Sequence, residues 1–244
     1  MISIQRIVNA RPSAKPVKQY SLEDLEALRE QDAQKLSSEC VAHKKKTRSE
    51  SAIGRSGILP KYQGCSFDNF ICNAAGKQKV VKSALDWVES QTRQESSGGF
   101  IFAGMHGTGK NHLASAIANL YIEDNQTAVI ITVSDLMVRL RDTYRDDSSE
   151  TEDGFIRKLA NVDLLVIDEV GVQRNTVNEQ VTLSTLINAR DANNKPTGVL
   201  TNLDFNGLIK TMGERSVDRI LSGVGIWLTF DWGSFRTSGV NHAV

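Results

Sequence analysis

The sequence predicts an α/β fold in which helices flank a five-stranded parallel sheet, preceded by a small helical N-terminal segment. Two observations predict the sheet. Short apolar runs alternate with helical patterns from residue 76 onward, and most of those runs are continuous, as in strands that are buried on both faces. A third observation separates the N-terminal segment, because residues 1–60 are polar, charged and poor in strand patterns.

Five apolar runs are the candidate strands, and they occupy residues 98–104, 128–133, 163–170, 197–202 and 225–232. Helical patterns fill the gaps between them, most clearly at 77–90, 110–123, 134–145 and 177–190. Thr176 and Glu179 have the capping-box spacing at the start of the last of these helices. The alternation favours a parallel sheet, since parallel neighbours need a crossover connection that a helix supplies.

The N-terminal region contains one predicted helix. Ser21 can cap it, and the leucines that follow recur at near-helical spacing, so that they form an apolar stripe that needs a partner surface. A link with glycine and serine then ends at Pro60. We therefore expect three parts: an N-terminal segment (1–55), a linker (56–75) and an α/β domain (76–244).

Composition restricts the location and the partners. Across 244 residues, 29 basic and 29 acidic side chains balance, which excludes a strongly basic protein that binds nucleic acid non-specifically through its net charge. Neither a secretory signal nor a membrane-spanning run is present in the sequence, so a cytoplasmic location and no membrane partner are expected. The three cysteines suit reduced thiols; a zinc site from Cys40, His43, Cys65 and Cys72 lacks a C-x-x-C pair and is disfavoured.

A glycine-rich loop between the first predicted strand and a helix fits the phosphate-binding pattern G-x-x-x-x-G-K. Its glycines let successive N–H groups point at phosphate oxygens, and the lysine reaches the outer phosphates of ATP. A chance glycine turn is disfavoured by the flanking strand and helix. The predicted nucleotide-binding residues here are Gly104, Gly107, Thr108, Gly109, Lys110, Asn111 and His112.

Two further features predict a Mg²⁺ site and catalytic groups. Asn111 stands where a magnesium-ligating Ser or Thr is usual, and an amide oxygen can also coordinate this ion. The third strand ends in Asp168 and Glu169, which is the Walker B arrangement; we expect Asp168 to hold Mg²⁺ and Glu169 to activate the attacking water. Asn202, at the end of the fourth strand, is positioned to contact the γ-phosphate or the water.

Arg215 and Arg219 lie four residues apart and hence on one face of a short predicted helix. An arginine there can act in trans on the nucleotide of a neighbouring subunit. The alternative is a solvated or salt-bridged helix face that involves Glu214 and Asp218.

With these motifs, residues 54–237 resemble the DnaC family of bacterial helicase loaders. The matching segments are RSGILP at 55–60, CSFDNF at 65–70, GTGKNHLASAI at 107–117, VDLLVIDEVGVQ at 162–173, PTGVLTN at 196–202, GERSVDRI at 213–220 and the tail FDWGSFR. The family also has asparagine after its P-loop lysine.

The resemblance implies an AAA+ ATPase core and an N-terminal segment that binds the replicative helicase, of the DnaB type. In the family's terms Arg219 is similar to the arginine finger, Asn202 to sensor 1 and Arg236 to sensor 2. Family members also bind single-stranded DNA. Here the corresponding helix would present Tyr144 for stacking on a base beside Arg139, Arg141 and Arg145.

An alternative for Tyr144 is that it completes an apolar stripe with Met137 and Leu140. For the whole chain, we expect ATP-bound subunits that self-associate on the helicase ring and deliver the helicase to single-stranded DNA, with slow, partner-stimulated ATP hydrolysis triggering release. Two other functions remain open: an IstB-like ATPase regulator of transposition, and a nucleotide-switched adaptor with little hydrolysis.

Overall fold

A computed structural model of the protein describes residues 58–92, 98–145, 147–172 and 176–235. The predicted N-terminal segment and its helix lie outside these residues. The strands are β1 (Phe100–Gly104), β2 (Ala128–Thr132), β3 (Leu164–Val170), β4 (Thr197–Thr201) and β5 (Ile226–Phe230). The helices are α1 (Ala75–Thr92), α2 (Lys110–Glu123), α3 (Val133–Asp142), α4 (Glu152–Asn161), α5 (Val177–Ala192), α6 (Phe205–Met212) and α7 (Glu214–Leu221).

The five strands form one parallel sheet in the order β2-β3-β4-β1-β5. Because β1, β3 and β4 lie inside the sheet and are covered on both faces, their residues are almost all buried, which explains the apolar runs at their centres. One apolar cluster lies on each face of the sheet. The first includes residues of α3, α4, α5, α6 and α7, and the second includes residues of α1 and α2.

The predicted fold class is confirmed, and each predicted strand agrees with an observed one to within two residues at either end. The short helix with Arg215 and Arg219 is confirmed as α7. Two helices, α4 and α6, are not among those predicted. They contain only 10 and 8 residues, so each offers few turns of apolar periodicity to read. Among the described helices, none combines the length and the apolar character that a bilayer span requires.

The fully buried Arg190 connects several loops at the amino edge of the sheet. Its guanidinium donates hydrogen bonds to the carbonyl oxygens of Leu159 (2.7 Å), Val162 (2.9 Å) and Pro196 (2.6 Å), and its Nε donates to the hydroxyl of Thr197 (3.0 Å). Burial lowers the pKa of Arg190. The side chain therefore joins the connection before β3 to the connection before β4, and it braces the two strands that carry polar side chains at their other ends.

Candidate nucleotide-binding site

The loop after β1 has the backbone of a phosphate-binding loop. Gly109 has φ of +100°, which favours glycine, and a Cβ on it would lie 2.8 Å from the ring of Phe70. Lys110 is buried, and its Nζ donates to the carbonyl oxygens of Gly104 (2.6 Å) and Met105 (2.8 Å). Burial lowers the pKa of Lys110, and the nearby Asp168 partly offsets that shift. The lysine is thus folded across the loop.

The segment after β5 fixes the orientation of two peptides in this loop. Trp232 Nε1 donates to the carbonyl of Thr108 (2.8 Å), and the backbone N–H of Phe235 donates to the carbonyl of Gly107 (2.8 Å). In a planar trans peptide the C=O and the following N–H point in opposite directions. The N–H groups of Thr108 and Gly109 therefore point away from this segment, as an anion-binding loop requires.

The acidic pair at the end of β3 lies on an irregularity of the sheet. The pairing of β3 with β4 shifts register between Ile167 and Val170, and Glu169 has φ of +60°. Such a conformation in a residue other than glycine is strained and is concentrated at functional sites. It leaves Asp168 buried and Glu169 exposed, so neighbouring residues have different surroundings.

Asp168 is a buried carboxylate with one donor on each oxygen. The backbone N–H of Glu169 donates to Oδ1 (2.7 Å), and Asn111 Nδ2 donates to Oδ2 (2.7 Å). Burial raises the pKa of Asp168, although both hydrogen bonds and the charge of Lys110 act to lower it. This contact joins α2, the helix of the phosphate loop, to the acidic end of β3.

Strand order explains how Asn202 reaches the site. Because β4 lies between β1 and β3, its carboxyl end lies between the phosphate loop and the acidic pair. Thr201 anchors this end, since its hydroxyl donates to the carbonyl of Val170 (2.7 Å) and accepts from the N–H of Leu203 (3.0 Å). Asn202, the next residue, is exposed into the cavity between the two motifs.

These groups line a single cavity of about 400 Å³. Apart from Gly104 and Arg236, every residue predicted for nucleotide, Mg²⁺ or catalysis in cis contributes to its wall; these are Gly107, Thr108, Gly109, Lys110, Asn111, His112, Asp168, Glu169 and Asn202. Gly104 begins the loop at the end of β1. Arg236 lies outside the described residues.

His112 is engaged by the predicted linker. Its Nε2 lies 3.1 Å from the carbonyl oxygen of Ser66, and its ring makes an edge contact with Phe70 at 5.3 Å between centroids. Farther along α2, Asn119 Nδ2 donates to the carbonyls of Gln63 (3.1 Å) and Cys65 (2.8 Å). The linker therefore packs along α2, the helix of the phosphate loop, and Phe70 of the linker lines the cavity.

Sequence reasoning missed Phe70 and Trp232 as parts of the site. Both residues lie inside segments that carried the family resemblance, CSFDNF and FDWGSFR, so a signal was present. The described cysteines, Cys65 and Cys72, are free, and the described residues contain no cluster of three or more His, Cys, Asp or Glu side chains suited to a metal ion.

Arg219 lies at the opposite edge of the sheet from the cavity. It lines a small depression with Gly99 and Thr197, at the amino ends of β1 and β4, and its Nε lies 3.5 Å from the carboxylate of Asp191. This ion pair joins α7 to α5, while Glu214 and Asp218 on the same helix are exposed, as a solvated and salt-bridged helix face would be. Arg215 is exposed. This position cannot serve the nucleotide of the same subunit.

The predicted DNA-binding residues lie at and just beyond the end of α3. Tyr144 is 57% exposed, whereas Met137 and Leu140 are buried, so the proposed apolar stripe through Tyr144 is wrong. Its hydroxyl donates to Glu152 (2.8 Å). Arg141 donates from Nε to the carbonyl of Met137 (3.2 Å), and Arg145 lies within 4 Å of two aspartates, Asp142 and Asp147.

Fold and site together define a P-loop nucleotide-binding protein in which β4 separates the phosphate-loop strand from the acidic strand. Residues 25–221 match the family model described as IstB-like ATP binding protein. Relatives of the chain are named replicative helicase loaders. The chain belongs to this IstB-like ATP-binding family and, within it, to the DnaC replicative helicase loaders.

Two such relatives illustrate the similarity. The replicative helicase loader DnaC of Buchnera aphidicola subsp. Schizaphis graminum is 39% identical over 233 residues, which cover 95% of this chain and 94% of the relative. That of Escherichia coli strain K12 is 40% identical over 188 residues, covering 77% and 76%. In fold, the chain is similar to a crystal structure of the DnaC helicase loader with a TM-score of 0.61 and 22% identity, over 70% of this chain and 99% of that one.

Proposed function

We propose that the protein is an ATP-dependent loader of a replicative helicase of the DnaB type. The observation that carries the proposal is the shared cavity of the phosphate loop and the acidic strand end, in a chain that belongs to the helicase-loader family. An ATP-binding switch is what a loader needs to hold the helicase in one state and release it in another.

The site suits ATP hydrolysis with Mg²⁺. The N–H groups of Thr108 and Gly109 and the ammonium of Lys110 would bind the phosphates. Asp168 and Asn111 supply the hard oxygen atoms that Mg²⁺ prefers, and bound Mg²⁺ would neutralise phosphate charge. Glu169, exposed beside the buried Asp168, would accept the proton of the attacking water.

Asn202 and Arg219 complete the proposed catalytic set from different subunits. Asn202 would contact the γ-phosphate or the water in its own subunit. Arg219 would approach the nucleotide of the next subunit, and Arg215 on the same helix is the reserve candidate; Arg236 would act as sensor 2. This arrangement requires self-association on the helicase ring, because Arg219 lies away from its own cavity.

The remaining parts of the chain have separate proposed tasks. Residues 1–55 would bind the helicase, residues 56–75 would link them to the AAA+ domain of 76–244, and the loader would act in the cytoplasm. Tyr144, Arg141 and Arg145 would bind single-stranded DNA. The exposed ring of Tyr144 supports this task, while the carboxylate of Glu152 beside its hydroxyl opposes a nearby phosphate.

Loading assays with the full chain test the proposal. Helicase, loader, ATP and single-stranded DNA coated with its binding protein are combined, and helicase bound to DNA is measured. We expect loading with the unaltered chain and none with Lys110→Ala, which should still co-purify with the helicase. Absence of any complex between the unaltered chain and the helicase would refute the proposal.

A regulator of DNA transposition is the second candidate, favoured by the description of the matching family as IstB-like. Parallel pull-downs with a replicative helicase and with a transposase distinguish the two, since each candidate predicts one partner. A third candidate, an adaptor with little hydrolysis, is tested by phosphate release with helicase and single-stranded DNA. We expect turnover that Glu169→Gln abolishes.

A further inference from the structure

The residue after the phosphate-loop lysine contacts the acidic strand directly. Asn111 Nδ2 donates to Asp168 Oδ2 at 2.7 Å, between two residues 57 positions apart in the chain. We propose that Asn111 is a positioning residue, whose amide N–H holds the Asp168 carboxylate in place before metal or nucleotide binds. The inference rests on the proposed function only in assigning the metal to Asp168.

The carboxylate needs such a donor because it is buried. Asp168 is only 9% exposed, and burying a charge is costly unless hydrogen bonds compensate it. The backbone N–H of Glu169 serves Oδ1. The Nζ of Lys110, whose charge also acts on Asp168, donates its hydrogen bonds to the carbonyls of Gly104 and Met105. The recorded donor to Oδ2 is therefore the amide of Asn111.

The orientation of the amide follows from electrostatics. An ionised carboxylate accepts hydrogen bonds only, so at 2.7 Å the amide must present its NH₂ group and not its oxygen to Asp168. A serine or threonine hydroxyl would use one oxygen atom both to donate and to coordinate. Asparagine divides these tasks between two atoms, so its donor role exists without any metal.

Measurements in EDTA remove any contribution that Asn111 makes through a bound metal ion, so the effects that remain come from hydrogen bonding or packing. Thermal unfolding of the full chain without nucleotide is compared for Asn111→Ala, Asn111→Ser, Asp168→Ala and the double variant Asn111→Ala/Asp168→Ala. We expect Asn111→Ala to lower Tm by roughly 3–6 °C, since it leaves a buried carboxylate oxygen without its donor. Asn111→Ser, which keeps a donor, should recover part of that loss.

The double variant decides whether the effect passes through Asp168. In the Asp168→Ala background the additional change Asn111→Ala should lower Tm by less than about 1 °C, because the acceptor is already gone. An equal loss in both backgrounds would mean that Asn111 contributes packing alone, and it would overturn the proposal. An unchanged Tm for Asn111→Ala in EDTA would overturn it as well.

A nucleotide-binding measurement gives a second readout. Asn111→Asp keeps the size and one side-chain oxygen but replaces the NH₂ donor with a second, negatively charged oxygen, so that two carboxylates lie side by side. In EDTA we expect it to weaken binding of a fluorescent ATP analogue by roughly tenfold or more, through like-charge repulsion, while Asn111→Ser changes it by less than about threefold. Equal affinities for Asn111→Asp and the unaltered chain would contradict the positioning role. None of these assays contains helicase, so failure of helicase loading would leave their outcome unaffected.

Discussion

Trp232 Nε1 donates a hydrogen bond of 2.8 Å to the carbonyl oxygen of Thr108, which precedes it by 124 residues. The bond connects the segment after the edge strand β5 to the middle of the phosphate loop. Its partner interaction, from the N–H of Phe235 to the carbonyl of Gly107, supports the adjacent peptide. The end of the described chain thus sets the direction in which two loop N–H groups point.

Removing the indole donor should therefore weaken nucleotide binding more than it weakens folding. Trp232→Phe keeps an aromatic ring against Phe230 but leaves the carbonyl of Thr108 without its recorded donor. We expect a roughly 5- to 20-fold weaker affinity for ATP, which corresponds to about 1–2 kcal/mol for a lost hydrogen bond. Isothermal titration measures it. Trp227→Phe is the control, since its indole bonds to Thr229 outside the site, and equal losses in both variants would contradict the idea.

Gly109 in the phosphate loop packs so closely against Phe70 of the linker that there is no room for a side chain. Gly109→Ala would place a Cβ 2.8 Å from the Phe70 ring in a backbone of positive φ, so we expect a loss of about 1–3 kcal/mol in unfolding free energy. The double variant Gly109→Ala/Phe70→Leu should recover part of it, because the clash goes while the backbone strain stays. Urea unfolding measures both. No recovery would show that strain alone is responsible.

The core of the site could be predicted because its signals are local. The phosphate loop lies within eight successive residues, and Asp168 and Glu169 end a strand whose continuous apolar sequence marks it as buried. Strand β4 is buried throughout and has an apolar centre, and Asn202 is the residue that follows its last position. In each instance one short segment contained both the element and the functional side chain.

Contacts between distant segments were not predictable in the same way. The contacts of Phe70 with Gly109 and of Trp232 with Thr108 depend on the tertiary fold, and no periodicity in either segment indicates such a partner. The alternative that placed Tyr144 in an apolar stripe was wrong although a periodic pattern suggested it. Its spacing from Leu140 fits a helical stripe, yet α3 ends at Asp142, so the ring leaves the helix before it can join the core.

Among the arginines that the structure describes, we expect Arg190 to cause the largest loss of unfolding free energy when it is replaced by alanine. Arg190→Ala would strip hydrogen bonds from the buried carbonyls of Leu159, Val162 and Pro196, and we expect a loss of about 3 kcal/mol or more in unfolding free energy. Arg157→Ala is the matched control. Arg157 forms an exposed ion pair with Asp153 and should cost about 0.5 kcal/mol or less. Urea denaturation compares them, and similar losses would refute the role of Arg190.

Asp163 should give the protein a stability that depends on pH. Burial alone would raise the pKa of this carboxyl, but hydrogen bonds from Lys195 and from the backbone and hydroxyl of Thr127 outweigh it and lower the pKa below its ordinary value. A lowered folded-state pKa means that the contribution is complete above the unfolded-state pKa of about 3.9 and is lost as pH falls through the folded-state value.

The change Asp163→Ala tests that sign. At pH 7 we expect it to lower the unfolding free energy by about 2 kcal/mol, because both Thr127 donors and the partly buried ammonium of Lys195 lose their acceptor. The difference from the unaltered protein should be constant between pH 7 and roughly pH 5 and should shrink below about pH 4, where the carboxyl group takes up a proton in the unfolded chain but is still ionised in the folded protein. Urea denaturation curves at a series of pH values measure it. The loss of unfolding free energy in Lys195→Met should depend on pH in the same way but be smaller, because this change leaves the Thr127 hydrogen bonds in place. If the loss in Asp163→Ala were equal at pH 3 and pH 7, the effect would come from packing and not from charge.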